Sequence, residues 1–178
     1  MDKHLSALQK FSDAFGQSIE YCQGGGTNAS VKFNDTMTIK ASGYTLADMM
    51  VKGGYVQLRY RPIAEMYTSK NSITENEARR ITKNAIQGDT KLKPSIETGF
   101  HSFLNTFVIH LHPIYLIAIL CLEDYEKILD ELYQNMDFAV ADYQRPGHYL
   151  SLEVARKLKE NLSFRPKPES EVEKSDKK

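Results

Sequence analysis

The sequence predicts an α/β sandwich with a central mixed, largely antiparallel sheet, and three observations carry that expectation. Two short runs of alternating apolar residues on either side of Asn34-Asp35 have the pattern of a hairpin. Later segments alternate between helical and strand periodicity. The chain has 178 residues, 41% of them hydrophobic, enough for one well-buried core and too few for two ordinary domains.

The elements follow in chain order. Leu5, Leu8, Phe11, Phe15 and Ile19 recur at helical spacing and predict an amphipathic helix from Asp2 to Glu20 that lies on the sheet and stops before Gly24-Gly25-Gly26. Ala29 to Phe33 and Thr36 to Lys40 are the hairpin strands, and Tyr55 to Tyr60 is a third strand. Thr74 three residues before Glu77 has capping-box spacing and predicts a helix from Glu75. A second helix starts after Pro94-Ser95 and carries Phe100, Phe103 and Leu104 inward. Phe107 to His112 is a strand, and Pro113 to Leu122 an apolar helix. Further helices are expected over Tyr125–Tyr133 and Leu150–Asn161, with a strand through Phe138–Val140 between them. Residues 1–161 make up the domain. From Leu162 to Lys178 the chain is charged, proline-bearing and poor in apolar residues, the composition of a disordered tail.

Charge and cysteine usage narrow the function. Lys plus Arg and Asp plus Glu each number 23, so the formal charge is zero and the electrostatic footprint of a nucleic-acid or anionic-membrane binder is missing. The two cysteines, Cys22 and Cys121, have neither metal-type spacing nor the density of a disulfide framework, which fits a reducing cytoplasm. The N-terminus lacks the features of a signal peptide. The most apolar stretch, Phe107 to Leu122, is broken by His110, His112 and Pro113 and is shorter than the roughly 20 residues a membrane span needs.

The sharpest chemical feature is His110-Leu111-His112. Residues i and i+2 of a strand share a face, so the two imidazoles can be presented to one metal ion, while Phe107, Ile109 and Leu111 anchor the opposite face in the core. The alternative is a pair of half-buried, hydrogen-bonded histidines. Ser95 has the character of an N-cap, with Glu97 in the first helical turn, where the carboxylate either compensates the helix dipole or transfers protons to a substrate. His101, four residues on, either orients Glu97 or lines the core. The glycines before Thr27-Asn28 either cradle an anion or cap a helix. Ala41-Ser42-Gly43 offers a phosphate a hydroxyl and an amide, or simply ends a strand.

Taken in order, GGGTNASVKF, IKASGYTLADM, PSIETGFH and FVIHLHP resemble the class II aldolase/adducin family over roughly Leu5 to Asn161. The motifs PSIET and IHLHP, with Tyr143-Gln144-Arg145-Pro146-Gly147, are most similar to the aldolase part of bifunctional rhamnulose-phosphate aldolase/dehydrogenase proteins. The resemblance implies a three-layer α/β/α sandwich and a metal-dependent aldehyde-lyase that cleaves a small phosphorylated sugar. His110 and His112 match ligands of a divalent ion, Zn2+ foremost and Mn2+ as another choice. Glu97 matches the proton-shuttling acid, and Asn28, Ser42, Gly43 and Ser95 match positions that hold the substrate phosphate. A homotetramer or other homo-oligomer is implied, with no nucleic-acid or membrane partner.

The chain departs from that pattern in three places. Thr27 stands where the family has glycine before the Asn, and Ile96 where it has a second Ser. The family places a third metal-binding histidine after the helix matched by Leu150–Asn161, whereas no histidine follows His148, whose motif matches the loop before that helix. The resemblance therefore implies a shortened member with His148 as the one late candidate ligand. Two other readings follow: a sugar-phosphate epimerase or dehydratase on the same scaffold, or a noncatalytic assembly or binding module.

Overall fold

The computed structural model describes residues 3–69 and 73–160. Its hairpin forms where the turn residues require it. β1 (Asn28–Phe33) pairs antiparallel with β2 (Thr36–Lys40), and Asn34 takes a φ of 52°, the left-handed conformation that a tight hairpin turn needs and Asn tolerates. β3 (Tyr55–Arg59) pairs with β2 and β4 (Phe107–His110) with β1, giving the order β3-β2-β1-β4 with every pairing among these strands antiparallel.

Helices cover both faces. α1 (Lys3–Gly16) and α2 (Asp48–Val51) lie on one side, where Leu8, Leu46 and Met49 pack against Ala29 and Val31. On the other side are α3 (Arg61–Thr68), α4 (Glu75–Ala85), α5 (Thr98–Phe103) and α8 (His148–Glu160), whose Ile63, Met66, Tyr67, Ala78 and Ala155 share a core with Met37, Ile39 and Leu58. The Thr74 capping box forms: its hydroxyl accepts from the Glu77 amide at 3.3 Å and its amide donates to the Glu77 carboxylate at 3.0 Å.

Several expectations are corrected. α1 ends at Gly16, before Glu20, and the chain turns there, with the Ser18 amide on the Phe15 carbonyl at 3.2 Å; glycine at 16 admits the Ala47 backbone, whose amide a Cβ would meet at 2.5 Å, and Ile19 beyond it is exposed. α3 was hidden by its Arg-Pro start, although Pro62 sits in the first turn, where proline is tolerated. β4 is an edge strand that α1 only partly covers, so Phe107 and Ile109 are exposed and do not anchor it in the core; Leu111 does pack there. α6 (Ile114–Leu120) forms but buries none of its residues, and α7 spans Tyr125–Leu132. Phe138–Val140 is no strand, since no described strand lies beside it to share hydrogen bonds; Phe138 packs instead on the Tyr133 ring. The last helix begins at His148, earlier than Leu150. The expected tail, 162–178, lies outside the described residues.

Candidate functional site

Register places the first two functional side chains together. Asn28 on β1 is the direct cross-strand partner of His110 on β4, so both project from the sheet face that meets α5. Glu97 is the N-cap of α5, one position before the helical turn expected for it, and its side chain makes no capping bond. Capping is supplied upstream, where the Ser95 hydroxyl accepts from the Glu97 amide at 3.3 Å and the Ser95 carbonyl from the Thr98 amide at 3.1 Å.

Freed from capping, the Glu97 carboxylate turns into the site. Its Oε2 accepts from Asn28 Nδ2 at 2.6 Å and from His110 Nδ1 at 2.6 Å. With the proton on Nδ1, the His110 Nε2 lone pair is available to a metal, the usual carboxylate–histidine arrangement behind a ligating imidazole. His112 follows the end of β4 and its ring centroid lies 4.8 Å from that of His110. Its backbone is held by a 2.9 Å bond from its amide to the Tyr21 carbonyl and by Gln23 Nε2 on its own carbonyl at 3.1 Å. A Cβ on Gly26 would come within 2.9 Å of His112 Cε1, so glycine there makes room for the ring.

Beside this cluster two loops meet. The Ser42 amide donates to the Lys93 carbonyl at 2.8 Å, its hydroxyl to the Pro94 carbonyl at 3.0 Å, and the Ser95 amide to the Lys40 carbonyl at 3.0 Å. Gly43 has a φ of +87°, which suits glycine at this turn. Thus Ser42, Gly43 and Ser95 are neighbours, whereas the Asn28 side chain is committed to Glu97 and His110. Lys40, not singled out from the sequence, is buried and donates to the carbonyls of Tyr44 at 2.6 Å and Gly25 at 3.3 Å, tying the glycine loop to the Ser42 loop. A lysine amid alternating strand residues gave no hint of this; its closeness to two glycine-bearing loops became visible only in three dimensions.

The electrostatics follow from burial. Burial raises the Glu97 carboxyl, but the hydrogen bond and charge of His110, the Asn28 amide and the charge of His112 outweigh it and hold the group below its ordinary range. Burial, then the neighbouring His110, lowers His112, with Glu97 opposing. Burial also lowers Lys40, against the raising influence of Glu97 and Cys22. His101 is fully buried, and burial holds it well below its usual range, so it is a neutral ring bonded through Nδ1 to the Ser30 hydroxyl at 2.8 Å.

His148 is elsewhere. Its Nε2 lies 3.1 Å from the Ile73 carbonyl, which can only accept, so Nδ1 accepts from the Tyr67 hydroxyl at 3.1 Å and neither nitrogen is left for a metal. Among the described residues no group of three or more His, Cys, Asp and Glu side chains could hold an ion. The donor chemistry nevertheless fits a borderline cation such as zinc: two imidazoles, one of them backed by a carboxylate, with the buried Asn28 Oδ1 unpartnered beside them. They supply two of the three protein ligands usual in a catalytic zinc site.

The comparisons agree with this architecture. A solved structure, the N-terminal class II aldolase domain of a conserved protein from Thermoplasma acidophilum, matches with a TM-score of 0.73 at 23% identity, over 88% of this chain and 76% of that one. An uncharacterized oxidoreductase of Bacillus subtilis (strain 168), YuxG, is 28% identical over 173 residues; the match takes in 90% of this chain and only 24% of that protein's length. Residues 8–167 match the Class II Aldolase and Adducin N-terminal domain, and with the antiparallel sheet and the layers of helices on its two faces this places the chain in the class II aldolase/adducin family.

Proposed function

We propose that this chain is a metal-dependent aldehyde-lyase acting on a small phosphorylated ketose. The observation that carries the reading is the convergence of Glu97 Oε2 on His110 Nδ1 at 2.6 Å, next to His112 and within one fold of the Ser42–Gly43 and Ser95 loops. A divalent ion held by His110 and His112 would stabilise the enediolate left when the aldehyde departs. The substrate phosphate would sit where the Ser42–Gly43 and Ser95 loops meet, the Ser42 hydroxyl exchanging its bond to the Pro94 carbonyl for one to the phosphate, with the Lys40 ammonium behind these loops. Glu97, ionised and largely shielded from water, takes the proton from the hydroxyl whose carbon–carbon bond breaks and returns it to the carbanion carbon.

The oxidoreductase name of the Bacillus relative belongs to a much longer protein. In this chain the glycine run lies between a helix and a strand, in the order α1, Gly24–Gly26, β1, the reverse of the strand–glycine–helix order that cradles a dinucleotide. That order supports the lyase reading of this segment. The exposed apolar residues Ile114, Tyr115, Ile117 and Leu120 of α6 support a homo-oligomer, for which light scattering at micromolar protein should give a multiple of 20.3 kDa; a clean monomer mass would remove it.

The experiment for the main reading is incubation with a panel of ketose 1-phosphates and a divalent ion, with dihydroxyacetone phosphate measured by a coupled assay. Release by the wild-type chain that chelator abolishes supports lyase chemistry. An isomeric sugar phosphate as the sole product would point to an epimerase, and no turnover of any member of the panel would refute the proposal.

A further inference from the structure

Three buried polar side chains succeed one another on the face of β1 that meets α5: Asn28, Ser30 and Lys32. Their partners succeed one another along α5 and its exit. Asn28 Nδ2 donates to Glu97 Oε2 at 2.6 Å, Ser30 Oγ bonds His101 Nδ1 at 2.8 Å, and Lys32 Nζ donates to the carbonyls of Leu104 at 3.1 Å and Asn105 at 2.7 Å. Two residues of strand advance about 6.6 Å and four residues of helix about 6 Å, so the strand and helix repeats stay in step over all three rungs.

Such a layer is unusual chemistry for a helix packed on a sheet. Apolar side chains would bury the same area without the desolvation that each unpaired polar group carries. They would also pack nearly as well with the helix displaced, whereas these three hydrogen bonds can form together in one register only, even though Asn28 Oδ1 and His101 Nε2 stay unpartnered there. The need for such pinning is acute. α5 is six residues long, too short to be stable by itself, and it carries Glu97 at its N-terminus. On its other side α5 packs on α3, where the Tyr67 and Phe103 ring centroids lie 6.0 Å apart, and on α8, where the Phe100 amide donates to the Ser151 hydroxyl at 3.1 Å.

We propose that Ser30, His101 and Lys32 are positioning residues: the lower two rungs lock the register of α5 on β1 and so hold the Glu97 carboxylate against His110. The importance of that placement rests on the lyase reading, but the geometry does not. Lys32 ends the ladder on the carbonyls of the C-cap residue Leu104 and of Asn105 just beyond it, where a cation also meets the negative end of the helix dipole. His101 supplies the middle rung as a neutral ring between Ser30 and Phe100, whose ring centroid lies 4.9 Å away. Neither needs to touch substrate.

The test is imidazole 1H–15N NMR on the chain without metal or substrate, following the His110 Nδ1 proton, which a short bond to a carboxylate places far downfield. His110→Ala identifies the signal. Ser30→Ala, Lys32→Met and His101→Phe each break one rung; the account expects a cooperative thermal transition in Ser30→Ala together with an upfield move or loss of that signal, restored in Ser30→Thr. A folded Ser30→Ala or Lys32→Met protein with an unmoved signal overturns the proposal, as does a loss that Ser30→Thr fails to restore. Should His101→Phe or Lys32→Met not fold, Ser30→Ala, which removes one oxygen, decides. Because no substrate is used, failure to find lyase activity leaves this result standing, and lyase activity with an unmoved signal overturns the ladder alone.

Discussion

Glu97 and His110 share a hydrogen bond of 2.6 Å between Oε2 and Nδ1 because α5 runs directly into β4, so that the N-cap of the helix returns beside the far end of the strand. That bond does two things at once. It sets the tautomer of His110, which frees Nε2, and it helps hold Glu97 ionised although most of the carboxylate is shielded from water.

Replacing Glu97 with Gln keeps the shape and removes the proton acceptor. Carbon–carbon cleavage should fall by about 10²- to 10⁴-fold, the range typical of a lost general acid–base group. The melting temperature should stay near that of the wild type. The comparison is between kcat values in the coupled dihydroxyacetone phosphate assay, and an unchanged kcat would remove Glu97 from the chemistry.

Gly26→Ala tests the space beside His112. The new methyl would meet Cε1 at 2.9 Å and Nδ1 at 3.1 Å, so the ring must move from its present position beside His110. Metal affinity measured by competition with a chromophoric chelator should weaken by about tenfold or more, as for a disturbed ligand orientation. Affinity equal to wild type would show that His112 is no ligand.

Lys32 makes a prediction about pH. Desolvation lowers it from 10.5 to about 8. Between those values the unfolded chain holds the proton that the folded chain has released, so stability rises with pH across that window. Relative to Lys32→Met, the wild type should gain up to about 3 kcal/mol between pH 8 and 10.5, by the usual conversion of a pKa shift. Urea midpoints for the two proteins should diverge over that range and run parallel below it; parallel curves throughout would show that Lys32 is well solvated.

The parts of the molecule legible in the sequence are those fixed by local chemistry. Asn34-Asp35 specified the hairpin, Thr74 with Glu77 the start of α4, and the spacing of His110 and His112 put two imidazoles side by side. What was not legible depended on neighbours far along the chain. The need for glycine at position 16, the last residue of α1, comes from the Ala47 backbone against it, and the failure of Phe138–Val140 to form a strand reflects the want of an adjacent described strand. The same limit applies to the site. Nothing local distinguishes Lys40 or Lys32 from the exposed lysines, and the capture of His148 by Tyr67 and Ile73 depends on how α3, α4 and α8 pack.

The most direct test of the account is metal uptake. Zn2+ or Co2+ titrated calorimetrically into metal-free, tag-free protein should bind at one ion per chain, and both His110→Ala and His112→Ala should abolish that binding while the chain remains folded. Binding that survives both substitutions, or none in the wild type at millimolar ion, would contradict a metal centre at this site and with it the lyase proposal.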